Sequence, residues 1–196
     1  MDMFSFLAEN FDLPILRWIA EHIWCGFLDV VMPIVTLLGD AGIFWIAIAV
    51  VLLFFRKTRR VGLGMGAALI LGLLVCNVTL KPLCGRIRPY DYELEHFGTT
   101  IKLLIEAQHD FSFPSGHTIA SFEAATVLWI HNKKVGVPAL VLASLIAFSR
   151  LYLYVHYPTD VIASVILGIG LAILATWIVG KLWDLVTRKM AEKKTA

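Results

Sequence analysis

A histidine and an aspartate near residue 160 have the spacing of a base and its orienting carboxylate. His156 and Asp160 are four residues apart in "SRLYLYVHYPTD", and Pro158 between them suits the first turn of a helix. Across that turn the carboxylate can reach one imidazole nitrogen, which sets the tautomer and leaves the other nitrogen free. A histidine held in this way is a competent base or nucleophile. A simple hydrogen bond at a helix start explains the bare pair about as well.

A short polar loop, "FPSGH", leads directly into apolar sequence. Pro114 fixes the direction of the chain, and Gly116 lets the backbone approach a ligand closely. The free N–H groups at the start of the following helix favour a phosphate, and Ser115 adds a hydroxyl group. Taken alone, the loop is explained at least as well by an ordinary helix cap followed by a solvated His117.

The composition indicates a membrane protein in which these residues must be positioned by apolar helices. The chain has 196 residues, of which 59% are hydrophobic and 16% are charged, and its mean hydropathy is +0.78. The apolar residues fall in blocks separated by charges, which predicts several spanning helices. The net charge of +2, without a basic tract rich in aromatics, argues against a nucleic-acid partner. Three cysteines without paired spacing argue against a disulfide framework or a zinc site.

We expect an all-α fold: an integral membrane bundle of about six transmembrane helices with an N-terminal interfacial amphipathic helix. In residues 4–24 charged side chains interrupt the apolar ones, a pattern typical of a helix lying in the interface. The predicted apolar segments are 26–38, 41–55, 61–83, 116–131, 136–155 and 159–180. The chain is thus divided into an amphipathic segment (1–25), a six-helix membrane domain (26–184) and a basic tail (185–196).

Basic clusters predict the orientation in the membrane. They lie at 56–60, at 133–134 and in the tail, which six spans place on one side of the bilayer. The positive-inside rule makes that side, and therefore the C-terminus, cytoplasmic. The loop at 84–115 and the turn at 156–159 then face the extracytoplasmic side of the inner or plasma membrane.

Four basic residues contradict the usual charge bias of the outer face. Lys81, Arg86, Arg88 and Arg150 lie at or near it, and a basic residue at membrane depth costs about 2.5–3.5 kcal/mol without compensation. Singly, each is explained by snorkelling or by pairing with loop acids, whereas four together favour an anionic ligand. Lys81 and Arg88 are seven residues apart and share a helix face if the helix continues, although a proline and a glycine between them make that doubtful.

Taken together, the motifs resemble those of the type 2 phosphatidic acid phosphatase (PAP2) family of membrane phosphatases. The patterns K-x6-RP, PSGH and SR-x5-H-x3-D occur in the family's order and without substitution. The resemblance extends over roughly residues 26–180. The matching residues are Lys81, Arg88, Pro89, Pro114, Ser115, Gly116, His117, Ser149, Arg150, His156 and Asp160.

The resemblance implies catalysis through a phosphohistidine, without a metal ion or another cofactor. His156 would attack the phosphorus, Asp160 would orient it, and His117 would protonate the leaving oxygen and then activate water. Pro89, Pro114 and Ser149 would support the motifs. The groups expected to hold the phosphoryl oxygens are Lys81, Arg88, Arg150, Ser115 and the Gly116 amide.

The resemblance further implies a lipid phosphate as the partner within the membrane. Undecaprenyl diphosphate is the first choice, because in a bacterium the small size and outward site would suit polyprenyl diphosphate recycling for cell-wall biogenesis. Phosphatidylglycerol phosphate and phosphatidic acid follow. The alternatives are a lipid phosphotransferase with the same phosphohistidine, and a non-catalytic transporter or scaffold with buried ion pairs. Vanadium haloperoxidases share the pocket motifs, but the membrane segments argue against that activity.

Two polar residues outside the motifs are left with open roles. Arg86 either helps at the site or faces the lipid headgroups. Glu123 lies six residues after His117 in the fourth apolar segment, where we expect it to face the bundle interior and form a hydrogen bond with a neighbour. A catalytic role for Glu123 is the less favoured interpretation.

Overall fold

The N-terminal segment folds as three consecutive helical pieces. In this computed structural model, which describes residues 3–195, they are Met3–Leu7 (α1), a π-helical turn Ala8–Asp12, and Leu13–His22 (α2). Leu13, Leu16 and Ile19 of α2 are buried at helical spacing, so the helix is amphipathic as predicted. Its buried face packs against the rest of the bundle, including the end of the helix Lys133–Tyr152.

The first two apolar segments form a pair of short helices. Gly26–Leu37 (α3) and Ile43–Phe54 (α4) each contain 12 residues, or about 18 Å of helix, which is less than the bilayer core of about 30 Å. The predicted turn between them contains a 3₁₀ turn, Asp40–Gly42. Gly42 has a positive φ of 67°, a conformation that glycine adopts without a steric cost.

The third apolar segment runs into the first motif but does not continue through it. Arg59–Gly72 (α5) leads through the π-helical Leu73–Leu80 into Lys81–Cys84 (α6), and Pro89–Phe97 (α7) follows. Gly85 has a φ of 57°, in the left-handed region, and it ends the helix. The helix that could have carried both Lys81 and Arg88 on one face therefore does not continue, in line with the doubt that the proline and the glycine raised.

The last three helices form the centre of the bundle. They are Gly116–His131 (α8), Lys133–Tyr152 (α9) and Pro158–Thr195 (α10). Helix α8 packs against α5, α9 and α10, and most of its side chains are buried. Trp45 of α4 donates a hydrogen bond to Ser121 of α8 over 3.0 Å inside this core. Helix α10 continues without a break across position 184, where the basic tail was predicted to begin.

Four stretches of the described residues are long and apolar enough to cross a membrane. They are Gly26–Phe54, Arg59–Phe97, Lys133–Tyr152 and Pro158–Glu192. Large apolar side chains on the outside of the bundle, such as Phe27, Ile34, Phe54 and Ile166, are exposed as expected for lipid contact. The all-α membrane bundle is thus confirmed, while the number of six spanning helices stays a prediction. With 16 residues, α8 is too short to count by length, and its neighbours enclose it.

A second buried cluster fixes the segment between α9 and α10. Tyr154 in this segment has a positive φ of 59°, and its hydroxyl donates to Glu93 Oε1 over 2.8 Å. Glu93 also accepts two hydrogen bonds from Arg17 of α2, at 2.8 and 2.9 Å. This arrangement raises the pKa of Tyr154 through burial and the adjacent Glu93 carboxylate. The N-terminal helix, α7 and the segment carrying His156 are therefore joined.

Candidate active site

The three motif segments meet where α8 begins, α9 ends and α10 begins. Arg88 Nη1 lies 3.4 Å from His156 Nε2, and Arg150 Nη1 lies 3.4 Å from His117 Nε2. These contacts join residues 68 and 33 positions apart in the chain. The structure therefore brings the predicted histidines and their cationic neighbours into one site.

The site opens into a cavity of about 580 Å³ that has a polar end and an apolar extension. Lys81, Arg88, His117 and Arg150 line the polar end. The apolar part runs between α4 and α5 and is lined by Ile46, Val50, Leu53, Leu69, Ile70 and Leu73. A few convergent polar groups at one end of an apolar cavity suit a ligand with a charged head and an apolar tail.

Lys81 and Arg88 hold an acidic side chain of the protein. Lys81 Nζ donates to one carboxylate oxygen of Asp110, and Arg88 Nη2 donates to the other. Burial raises the pKa of Asp110, but the hydrogen bonds and charges of Lys81 and Arg88 outweigh it and bring the pKa to about 2. Although no single helix carries both residues, the two cations therefore still converge on one anion.

Arg150 has donors that no described residue satisfies. Its side chain is buried, and Nη1 donates to Thr36 Oγ1 over 2.6 Å. Nε and Nη2 are buried without a partner in residues 3–195. Buried donors are almost always paired in native proteins, so two free guanidinium nitrogens in a cavity wall mark a place for an oxyanion.

The start of α8 does not behave as an ordinary capped helix. Ser115 is the residue before the helix, but its side chain makes no capping hydrogen bond. Its N–H donates to Ser164 Oγ over 2.8 Å, and its hydroxyl accepts from Thr118. His117 is only 15% exposed, so it is not a solvated histidine. The first amides of α8, including that of Gly116, have no acceptor within the helix and suit an anion.

His156 is buried with its two nitrogens in different surroundings. Nε2 faces Arg88, whereas Nδ1 lies 3.5 Å from Ser112 Oγ and 3.5 Å from Asp160 Oδ2. Burial lowers the pKa of His156 well below its usual value, and Arg88 and Arg150 lower it further. The imidazole is therefore neutral near pH 7, as an attacking nucleophile requires.

The predicted hydrogen bond between Asp160 and His156 is not formed in this structure. The 3.5 Å between Asp160 Oδ2 and His156 Nδ1 exceeds normal hydrogen-bond lengths. Oδ2 instead accepts from Ser112 Oγ at 2.5 Å and from Tyr157 N at 3.1 Å. Ser112 thus lies next to both partners of the pair. No sequence pattern identifies Ser112, because a serine two residues before a proline is typical of any turn.

Arg86 belongs to the site rather than to the lipid-facing surface. It is 4% exposed and donates from Nη1 to Asp160 Oδ1 and to Thr159 Oγ1. Of the two interpretations that the sequence left open, the structure supports the one in which Arg86 acts at the site.

The three supporting residues shape the backbone. Pro89 begins α7 directly after Arg88, and Pro114 follows a cis peptide bond with Phe113. Ser149 Oγ donates to the Ile146 carbonyl of its own helix over 2.6 Å. Each of the three residues therefore affects the path of the backbone next to the site.

Glu123 faces the bundle interior as predicted, but the expected hydrogen bond is missing. The side chain is fully buried in the wall of the cavity, and neither carboxylate oxygen has a partner among the described residues. The carboxylate lies against Gly72 of α5, where a Cβ atom would collide with it. The Glu123 carboxylate thus occupies space that is free because Gly72 has no side chain.

Comparisons with known proteins show which family the chain belongs to. A family model described as the PAP2 superfamily matches residues 60–184. The chain is 32% identical over 135 residues to the undecaprenyl-diphosphatase of Sulfolobus acidocaldarius, a match covering 68% of this chain and 63% of that one. The chain therefore spans less than two thirds of this relative's length.

A second relative and a solved structure support the same grouping. Phosphatidylglycerophosphatase B of Bacillus subtilis is 32% identical over 161 residues, covering 76% of this chain and 68% of that protein. The crystal structure of Aquifex aeolicus LpxE superposes with a TM-score of 0.72 at 29% identity, over 85% of this chain and 96% of that one. The undecaprenyl-diphosphatase and phosphatidylglycerophosphatase B both have phosphatase names, in agreement with the enzyme class that the motifs predict. The chain belongs to the PAP2 superfamily.

Proposed function

We propose that this membrane protein removes a phosphate group from a lipid phosphate through a covalent phosphohistidine at His156. The observation that carries the proposal is the position of Asp110 beside the nucleophile. Arg88 holds the Asp110 carboxylate with Nη2, and its Nη1 lies 3.4 Å from His156 Nε2. An anion bound by Arg88 in place of that carboxylate is next to the nitrogen that must attack it.

In the first step, the neutral His156 attacks the phosphorus with the lone pair of Nε2. The bond between phosphorus and the lipid oxygen breaks, and His117, which the negative charge of the bound phosphate keeps protonated, gives this oxygen its proton. The lipid leaves as a neutral alcohol or, from a diphosphate, as a lipid monophosphate. Asp160, a short distance from Nδ1, stabilises the positive charge that develops on the imidazole.

In the second step, water replaces the histidine. His117, now neutral, accepts a proton from the water molecule as its oxygen attacks the phosphorus. The bond between phosphorus and Nε2 breaks, and the electron pair returns to His156. Inorganic phosphate leaves, and both histidines regain their starting forms, so no metal ion or other cofactor is needed to balance the reaction.

Cations of the chain carry the electrostatic part of the proposed catalysis. Lys81, Arg88 and Arg150 line the polar end of the cavity and neutralise charge on the three phosphoryl oxygens. The two unpartnered nitrogens of Arg150 have no competing acceptor among the described residues. Ser115 and the amide of Gly116 complete the cradle at the start of α8.

The proposed substrate is a lipid because the polar pocket continues into an apolar groove between α4 and α5. Undecaprenyl diphosphate is our first choice, followed by phosphatidylglycerol phosphate and phosphatidic acid. The names of the relatives include a phosphatase for a polyprenyl diphosphate and one for a glycerophospholipid, so both chemical classes belong in the test.

We further propose that the site faces the extracytoplasmic side of the cell membrane, with the C-terminus in the cytoplasm. Support comes from the basic residues at 56–60 and 133–134 and in the C-terminal part of α10. The proposed division of the chain remains 1–25, 26–184 and 185–196.

Phosphate release from a substrate panel tests the proposed function. Purified protein is given polyprenyl diphosphates, phosphatidylglycerol phosphate and phosphatidic acid, with and without vanadate or EDTA. We expect phosphate release that vanadate inhibits, that EDTA leaves intact and that His156→Ala abolishes. Full activity of His156→Ala rules out the mechanism. Loss in EDTA with recovery in Mg²⁺ rules out metal-free catalysis, and a newly phosphorylated lipid in place of inorganic phosphate identifies a phosphotransferase.

A further inference from the structure

The N-terminal segment, which contains no motif, places a buried carboxylate near the proposed active site. Asp12, the last residue of the π-helical turn, is fully buried. Its Oδ1 accepts from Thr159 N at 2.8 Å, and its Oδ2 accepts from Thr159 Oγ1 and Arg86 Nη2, both at 2.7 Å. Asp12 therefore binds the first turn of α10, one residue before Asp160.

Arg86 connects this carboxylate to Asp160. One guanidinium nitrogen donates to Asp12 and the other donates to Asp160 Oδ1. The guanidinium lies 3.7 Å from the ring centre of Tyr157 and 5.0 Å from that of Phe4. The planar group is thus held by two carboxylates at its edge and by two aromatic rings.

Asp12 and Asp160 share the single cation Arg86, and this sharing sets the net charge next to His156. If Arg86 were paired with Asp160 alone, its positive charge would cancel the negative charge of Asp160. With Asp12 present and both carboxylates ionised, the three groups together carry one negative charge beside the imidazole. That charge favours the imidazolium-like state formed when Nε2 becomes bonded to phosphorus.

We propose that Asp12 is a positioning residue of the reaction, acting through Arg86 and Thr159 to hold Asp160 in place beside His156. The inference rests on the proposed phosphohistidine chemistry and extends its machinery to the N-terminal segment. Asp12 has no contact with the substrate cavity, so its effect is on the chemical step and not on lipid binding.

Docking of the N-terminal segment does not depend on Asp12 alone, which makes the proposal testable. Arg17 forms two hydrogen bonds with Glu93, and Glu9 accepts from the Tyr92 hydroxyl at 2.7 Å. Glu9 lies in the same π-helical turn as Asp12, and none of its contacts described here reaches Asp160 or His156. Glu9→Gln is therefore the matched control for Asp12→Asn.

The experiment compares steady-state kinetics of Asp12→Asn and Glu9→Gln with those of the unmodified protein on one lipid phosphate. We expect Asp12→Asn to lower kcat by about 10- to 100-fold, as for other residues that orient a reacting group, while KM stays within about twofold. Glu9→Gln should keep kcat within about twofold. Gel filtration and thermal unfolding establish that both variants are folded.

A double-substitution cycle separates this role from a general structural one. Because Asp12 acts through Arg86, Asp12→Asn should cost much less kcat in an Arg86→Gln background than in the unmodified protein. An equal factor in both backgrounds, or a kcat for Asp12→Asn equal to that of Glu9→Gln, overturns the inference. Activity retained by His156→Ala overturns the proposed function instead, so the two failures are distinguishable.

Discussion

The Asp110 carboxylate accepts a hydrogen bond from Arg88 where the proposed reaction needs a phosphoryl oxygen. Lys81 holds the other oxygen of the same carboxylate. The pKa of Asp110 is about 2, so the ion pair is present above its ordinary pKa near 4 and is lost only as the pH falls through about 2. The Asp110 side chain is 53% exposed and can move into water. A substrate phosphate therefore competes with Asp110 for both cations.

Removing this competition should strengthen anion binding. Asp110→Asn keeps the shape of the side chain but gives up its charge, so Lys81 and Arg88 bind an added anion without displacing a carboxylate. We predict that the inhibition constant of vanadate falls by about tenfold, which corresponds to about 1.4 kcal/mol. Glu106→Gln, an exposed acid in the same loop, is the control and should leave the constant unchanged. An unchanged constant for Asp110→Asn contradicts the competition.

The pH dependence of kcat/KM should report the cationic surroundings of His156. Burial and the neighbouring arginines lower its pKa, so the neutral nucleophile persists below the ordinary value of about 6.5. We predict that the acidic limb of the profile lies below pH 6.5. Arg88→Gln removes a cation beside Nε2, which raises the pKa and moves the acidic limb to higher pH. A limb that stays in place or moves to lower pH contradicts this electrostatic account.

His117 and His156 should be separable with an aryl phosphate, whose leaving group needs no proton. His117→Ala can then still form the phosphohistidine, but it lacks the base that activates water. We predict a burst of phenolate equal to the enzyme concentration, followed by slow turnover, in a rapid-mixing assay. His156→Ala should give no burst. A burst from His156→Ala, or none from His117→Ala, assigns the roles differently.

Glu123 and Gly72 should be coupled in stability. Gly72→Ala places a methyl group against the Glu123 carboxylate, and overpacking of this kind costs about 1–3 kcal/mol. The loss should largely disappear in the Glu123→Ala background, where space is available. Thermal unfolding in detergent measures both effects. A similar loss of stability in the two backgrounds contradicts the prediction, because the cost of Gly72→Ala would then not come from a collision with Glu123.

The proposed orientation can be tested with single cysteines in a background where Cys25, Cys76 and Cys84 are replaced by serine. A cysteine at Thr99, which is exposed in the loop after α7, should react with an impermeant maleimide added to intact cells. A cysteine at Lys57, in the basic turn before α5, should react only after the membrane is opened. The reverse pattern places the site on the cytoplasmic side.

The sequence was sufficient for the residues whose roles depend on motif and spacing. His117, His156, Arg88 and Arg150 lie together as the three motifs predicted. The all-α membrane class followed from composition and from the length of the apolar blocks. The local path between Lys81 and Arg88 did not, because a left-handed glycine ends the helix between them.

The site residues that could not be identified from the sequence belong to no motif. They reach the site through contacts with residues that are distant in the sequence. Ser112, Asp110 and Asp12 approach the site from a loop and from the N-terminal turn. Serines and aspartates in loops and at helix ends are common for local reasons, so no pattern distinguishes these three. The number of spanning helices was similarly open, because α8 is short and is covered by neighbouring helices rather than by lipid.

The central claim is that phosphate becomes bonded to His156, and trapping that bond tests it most directly. The His117→Ala variant is mixed with an aryl phosphate labelled in the phosphate, whose leaving group needs no proton, then quenched with alkali, digested and analysed by mass spectrometry. We predict a phosphoryl group on the peptide that contains His156, stable in alkali and lost in acid, and absent from the His117→Ala/His156→Ala double variant. Label on another residue, or turnover without label on His156, contradicts the mechanism.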